Sequence, residues 1–156
     1  MTRQTFTIVL SVWLCCIILF AGCGGGGRAK PKDMPPLYQG TLTFVQDGVP
    51  LDEASIILHS DSKWSVGGKT NEKGALKLTT NGYYDGAPEG TYKITVRKIV
   101  AVVNEATGTV TKKTDVIENQ FKRENTTPLE VEIGKKDNNQ TIEVGKAVSV
   151  NVPVTD

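Results

Sequence analysis

The chain is poor in the residues that carry chemistry. Among 156 residues there is one histidine, His59, and the three cysteines all fall at positions 15, 16 and 23. One imidazole leaves a zinc cage without its usual second and third nitrogen or sulfur ligands. Without a thiol beyond residue 23, the main body of the chain has neither a disulfide pair nor a cysteine nucleophile. An excess of either charge is also missing, with 18 Lys+Arg against 17 Asp+Glu. Nucleic acid is held by surplus Lys and Arg, so it is not an expected partner. From Tyr38 onward no stretch keeps apolar residues at helical spacing over three turns, which argues against an α-helical domain. Disorder is excluded as well, because the chain is 38% hydrophobic and close to neutral.

What is present is placed unevenly. No acidic residue precedes Asp33, and Met1-Thr2-Arg3-Gln4 carries a single positive charge. Residues 6–21 are apolar apart from Thr7 and Ser11, and the run ends in Phe20-Ala21-Gly22-Cys23. A basic start, a short apolar stretch and small residues at its end are the plan of a secretory signal. The last four residues resemble the lipobox of bacterial lipoproteins, in which two small residues precede an obligatory cysteine, with Phe20 where Leu is usual. Cys15 and Cys16 fit less well, since Leu14 and Cys15 precede them in place of small residues. The resemblance implies a signal peptide over residues 1–22 and acylation (diacylglycerol, palmitate) on the sulfur of Cys23. The alternative is an uncleaved N-terminal membrane helix, for which the run is nearly long enough. Both tether the chain to a membrane. Cleavage before Cys23 removes Arg3 alone, leaving 17 basic against 17 acidic residues. Gly24 stands where Asp commonly signals inner-membrane retention, so the resemblance favours the outer membrane of a two-membrane cell. The domain would then be periplasmic or surface-exposed.

Residues 23–36 continue from Cys23 through four glycines to Arg28-Ala29-Lys30-Pro31-Lys32-Asp33-Met34-Pro35-Pro36. Glycine is flexible and proline extended, so this segment is expected to be a linker. The glycine run lacks the Lys-Ser/Thr and the following helix of a phosphate cradle.

From residue 37 to 156 the pattern is β. Thr41-Leu42-Thr43-Phe44-Val45, Ala75-Leu76-Lys77-Leu78-Thr79, Tyr92-Lys93-Ile94-Thr95-Val96-Arg97 and Leu129-Glu130-Val131-Glu132-Ile133 alternate apolar with polar. Turn residues separate them: Asp47-Gly48, Asn71-Glu72-Lys73-Gly74 and Lys136-Asp137-Asn138-Asn139. A possible strand over residues 65–70 is interrupted by Gly67-Gly68, and residues 82–90 read as a loop. The expected fold is therefore all-β: an antiparallel, Ig-like or prealbumin-like sandwich of about seven strands behind the signal and linker. The ordered set Gly40-Thr41-Leu42, Asp47-Gly48-Val49-Pro50-Leu51, Ala54-Ser55-Ile56, Thr70-Asn71-Glu72-Lys73-Gly74 and Pro88-Glu89-Gly90-Thr91-Tyr92-Lys93-Ile94 resembles the carboxypeptidase regulatory-like family. That family is a prealbumin-like sandwich, and the match covers residues 40–97. The resemblance implies a packing module with no catalytic or zinc-binding residues of its own. Hydroxyisourate hydrolases, the enzymatic relatives of that fold, need several histidines and a C-terminal Tyr-Arg-Gly-Ser. This chain ends Pro153-Val154-Thr155-Asp156.

The remaining candidates are few. His59, beside Asp61, is expected to be a strand-end surface residue. Asp47, Asp52 and Glu53 suggest calcium by composition, yet Gly48-Val49-Pro50 puts no side-chain oxygen between them, which favours turn solvation. Trp64, Tyr83 and Tyr84 lie in or near loops, where aromatic residues are expected first to cover the edge of the core; with Phe121 they are also the candidate contacts for sugar or protein. Residues 98–128 form a long insertion. Ile99-Val100-Ala101-Val102-Val103 is expected to extend a strand, with Thr109-Val110-Thr111 returning across residues 104–108. Residues 112–126 are expected to be an exposed loop with Phe121 as the one large apolar residue. Taken together, the sequence leads us to expect a monomeric, membrane-anchored, non-enzymatic envelope lipoprotein without cofactors. It would be a structural or protein-binding module, with a carbohydrate- or polymer-binding module as the alternative.

Overall fold

The computed structural model describes residues 29–152, with side chains through residue 150. The signal segment 1–22, Cys23 and the glycines at 24–27 lie outside the described residues. Among the described residues fifteen strand segments follow in chain order. They begin with β1 (Leu37–Tyr38), β2 (Thr41–Gln46), β3 (Val49–Pro50), β4 (Ser55–His59), β5 (Val66–Lys69), β6 (Ala75–Lys77), β7 (Thr79–Thr80) and β8 (Tyr84–Asp85). The second half holds β9 (Ala87–Pro88), β10 (Gly90–Arg97), β11 (Ile99–Val103), β12 (Val110–Asp115), β13 (Glu130–Ile133), β14 (Gln140–Glu143) and β15 (Val150–Val152). Among the described residues a 3-10 turn, Asn119–Lys122, lies between β12 and β13. There is no α-helix among the described residues.

Alternation along the strands builds the two layers. One sheet has the order β13-β10-β4-β5-β7-β8; the other has β14-β2-β3, with β6 also paired to β2. Leu42 and Phe44 point inward from β2, Ile56 and Leu58 from β4, and Tyr92, Ile94 and Val96 from β10. Their polar neighbours Ser55, Thr91, Lys93 and Arg97 stay exposed. Val131, Ile133, Ile142 and Val144 complete the same core cluster. The expected sandwich is therefore present. Its strands are more numerous and shorter than the seven expected, because turns with left-handed backbone at Asp47, Glu53, Asn81 and several glycines cut the chain repeatedly. Within residues 82–90, expected to be loop, Tyr84–Asp85 and Ala87–Pro88 form two-residue strands against β7 and β1.

Antiparallel pairing holds in every described ladder except one: β14 runs parallel to β2. The sequence alternates on both sides of residues 136–139, as a hairpin would. Residues 134–139 instead carry the chain from one sheet to the other. Buried Asn138 holds that crossing, its amide donating to Gln39 O and Gly134 O, both at 3.0 Å. β14 then takes the side of β2 that β3 and β6 leave open, and Val144 N donates to Val45 O at 2.8 Å.

Two glycines are fixed by their surroundings. Gly67 lies within β5, and a Cβ there would come 2.3 Å from Ile56 O, so β5 pairs closely with β4 only because the side chain is absent. Gly74 has φ +70, and a Cβ would meet Phe44 O at 2.3 Å, whereas Gly48 has φ +75 with nothing within 4 Å. This pair separates backbone strain from collision. Gly48→Ala is expected to destabilise by about 1 kcal/mol from the left-handed backbone alone. Gly74→Ala is expected to destabilise by roughly 3 kcal/mol or more, because the backbone of β2 must also shift. Urea denaturation of the two variants measures the difference, and equal losses would refute the collision.

Candidate functional site

The long insertion leaves the sandwich. β10 runs on through Lys98 into β11, which pairs antiparallel with β12, and β12 pairs on its other side with β15. The expected hairpin across residues 104–108 is present, closed by Asn104 N donating to Thr109 O at 2.8 Å. The resulting three-stranded arm contributes nothing to the core from β11: Ile99, Val100, Ala101, Val102 and Val103 are all exposed. Val102 is 52% accessible, and Val110 and Val150 on the neighbouring strands are exposed as well. In a β-strand, successive side chains face opposite sides. An apolar run without alternation therefore gives β11 two apolar faces, and the arm covers neither.

Charge fixes the root of the arm. Lys98 forms an ion pair with Asp52 in the turn before β4, and Asp115 at the end of β12 pairs with Lys122 at 2.7 Å. Asp115 is buried, and it also accepts a hydrogen bond from Ile117 N at 3.1 Å. The Lys98 ammonium, which donates to Asp52, holds that carboxyl below its ordinary value of 3.8.

The chain beyond the arm corrects the sequence reading. Residues 112–126 are not an exposed loop: β12 extends to Asp115, and Asp115, Ile117 and Phe121 are buried. Phe121 is 5% exposed and packs in the core, so its ring is not offered to a ligand. Thr127 donates to Ile94 O at 2.7 Å, which straps this segment against the middle of β10.

The other three aromatic candidates lie along one edge. Asn81 N donates to Ser65 O at 2.7 Å, joining the loop that bears Trp64 to the turn that bears Tyr83 and Tyr84. Tyr84 donates its hydroxyl proton to Ala29 O at 3.2 Å, and Lys63 pairs with Asp33 while lying 5.0 Å from the Trp64 ring centre. Tyr84 and the Lys63 beside Trp64 thus reach residues 29–33. Tyr83 is 67% exposed.

His59 ends β4, as expected. Its Nε2 lies 2.8 Å from Thr95 Oγ1 and its Nδ1 3.4 Å from Glu124 Oε2. Hydroxyl, imidazole and carboxylate follow in the order of a nucleophilic triad. Thr95, however, is buried in the middle of a continuous strand and pairs in register with Ile57. The N–H of Ile94 beside it is committed to Leu129 O at 2.9 Å. The arrangement binds the loop at Glu124 to the sheet.

The three acidic residues weighed for calcium diverge. Asp47 accepts from Ala147 N at 2.9 Å, Asp52 pairs with Lys98, and Glu53 pairs with Lys69. Among the described residues no three of His, Cys, Asp and Glu converge as metal ligands. What the sequence reading missed is the exposure of β11. The available signal was its lack of alternation, set against a partner strand bearing Thr111, Lys112, Lys113 and Thr114.

The depressed carboxyl at the arm's root gives a prediction. A carboxylate held low by its partner stabilises the fold above its ordinary value and ceases to do so as pH falls through its lower folded-state value. The Asp52 carboxyl resonance should therefore titrate below 3.8 in the native protein and return toward that value in Lys98→Met. An unchanged midpoint in the variant would disprove the contact.

No protein-family model matches the sequence, and no curated protein matches it. Among solved structures, a 9R-lipoxygenase from Cyanothece PCC8801 is similar at a TM-score of 0.32 and 12% identity, over 92% of this chain and 24% of that one. The chain thus spans about a quarter of that protein's length, and so slight a likeness bears on neither fold nor function.

Proposed function

We propose that this chain is a lipid-anchored, non-catalytic protein of the cell envelope whose sandwich serves as a structural or protein-binding module. The observation that carries the binding role is the arm: a fixed, projecting hairpin whose edge strand exposes four large aliphatic side chains, Ile99, Val100, Val102 and Val103. Contiguous exposed apolar surface on a folded domain marks an interaction site, and aliphatic side chains on a free strand suit protein better than sugar. The anchor is supported by the sequence Phe20-Ala21-Gly22-Cys23 after an apolar run. A cell with two membranes would carry the domain on its outer one, facing the periplasm or the exterior.

The anchor is tested on the chain as the cell makes it. Mass spectrometry of the membrane-extracted protein should find an N-terminal peptide beginning at Cys23 with added acyl mass. Cys23→Ser should accumulate as an unprocessed precursor, because the lipid is joined through sulfur. Mature protein beginning at Met1 would establish the uncleaved helix instead.

Carbohydrate binding is the second possibility, and the shared edge of Trp64, Tyr83 and Tyr84 is what favours it. Titrating the detergent-solubilised chain with peptidoglycan fragments should leave tryptophan fluorescence unchanged if the arm is the binding element. A saturable change that Trp64→Phe abolishes would favour the glycan.

A further inference from the structure

We infer that the free edge of β11 joins two copies of this chain, antiparallel, about a two-fold axis at Ala101. This inference rests on the protein-binding role proposed above and names the partner. Lys98 O accepts from Val116 N at 3.1 Å, Asn104 N donates to Thr109 O at 2.8 Å, and Val102 O accepts from the Thr111 hydroxyl at 3.1 Å. Even-numbered residues of the strand therefore turn their backbone groups toward β12. Ile99, Ala101 and Val103 turn theirs outward, where β11 is the edge of its sheet. Exposed edges are ordinarily guarded by charge, proline or a bulge. β11 has no charged residue and no proline, and the register shift opposite Val102 and Val103 places the extra residue, Thr111, in β12.

The strand is complementary to itself. Rotation about Ala101 sets Ile99 of one copy against Val103 of the other and Val100 against Val102, so every apolar side chain meets an apolar one. The same rotation pairs outward residue with outward residue, which satisfies the open N–H and C=O groups. Antiparallel pairing also carries the tip of one arm toward the root of the other. Glu105 is the one charge of the tip and Arg97 is exposed at the root, and neither has an ion-pair partner among the described residues. A membrane is a poorer occupant, because the tip that would enter first carries Asn104, Glu105 and Thr107. A five-residue edge buries less than the roughly 1,000 Å² of a stable interface. The chain would therefore be monomeric when dilute and dimeric when concentrated or confined to a membrane surface.

Sedimentation of the detergent-solubilised full chain across a concentration series tests the inference, with acyl mass at Cys23 read on the same sample so that a failed anchor and a failed dimer are told apart. Ala101→Pro removes an N–H that the internal ladder does not use, and Ala101→Lys sets like charges face to face on the axis. Each should weaken association at least about tenfold while circular dichroism stays unchanged. An equimolar mixture of Ala101→Lys and Ala101→Glu should restore it. A wild-type chain monomeric at every concentration, an oligomer that neither Ala101→Pro nor Ala101→Lys alters, or a mixture no tighter than Ala101→Lys alone would each overturn the inference.

Discussion

The rest of the structure depends on the continuity of β10 with β11. Within the sandwich, β10 pairs on one side with β4 and on the other with β13, and sends Tyr92, Ile94 and Val96 into the core. The Tyr92 hydroxyl donates to Pro88 O at 2.8 Å, fixing the strand's entry, and burial pushes that phenol above its ordinary pKa. Three residues past Val96, at Ile99, the same backbone has left the core. An extended chain turns little between successive residues, so the core that holds β10 also aims the arm. Asp52 and Lys122, at the two strands' roots, resist bending there. The arm is thus a fixed projection of the sandwich.

Its composition breaks the rule the chain follows elsewhere. On the solvent side of the main sheet stand Ser55, His59, Lys93, Arg97, Glu130 and Glu132, with Ile57 the aliphatic exception. Strands facing water on one side ordinarily alternate in this way. β11 has the composition of a strand covered on both faces, and the domain supplies a cover for neither. Burial of apolar surface contributes about 25 cal/mol per Å², and along β11 that free energy is left for an external contact. The proposed self-pairing covers the strand's edge and sets a second row of aliphatic side chains beside the first on each face.

Much of the fold was legible in the sequence because alternation reports burial directly. Leu42 and Phe44, Ile94 and Val96, and Val131 and Ile133 were each paired by spacing, and each pair lies in the core. Pairing direction was not legible, since Gln140 to Glu143 alternates identically whether it returns beside β13 or crosses to β2. The crossing depends on Asn138, a turn residue by type and a buried one by position. Phe121 was misplaced for a related reason. Its apolar companion Ile117 is four residues away among Glu118, Asn119 and Gln120, and the pair becomes core only when Thr127 straps the segment to β10. The arm was half legible: the hairpin followed from its turn, while exposure of both faces depends on what the rest of the domain fails to cover.

Polar satisfaction inside the domain sharpens the contrast with its surface. Thr70 donates to Leu51 O at 2.6 Å and accepts from Ala54 N at 2.9 Å, and Thr80 donates to Gly86 O at 2.7 Å. Among the described residues no buried side-chain nitrogen or oxygen lacks a partner. A buried polar group left unpaired costs about 1–3 kcal/mol, so one without a partner would have pointed to a ligand inside the sandwich. None of the described side chains does. The outward N–H and C=O groups of Ile99, Ala101 and Val103 differ because water satisfies them while the arm stands alone. Removing that water is tolerable only for a partner that supplies the same groups in the same spacing, and another extended strand does so. Side-chain binding alone would exclude the water without replacing its hydrogen bonds. The backbone along this edge therefore selects a strand as occupant, and the aliphatic side chains on both faces select which strands fit.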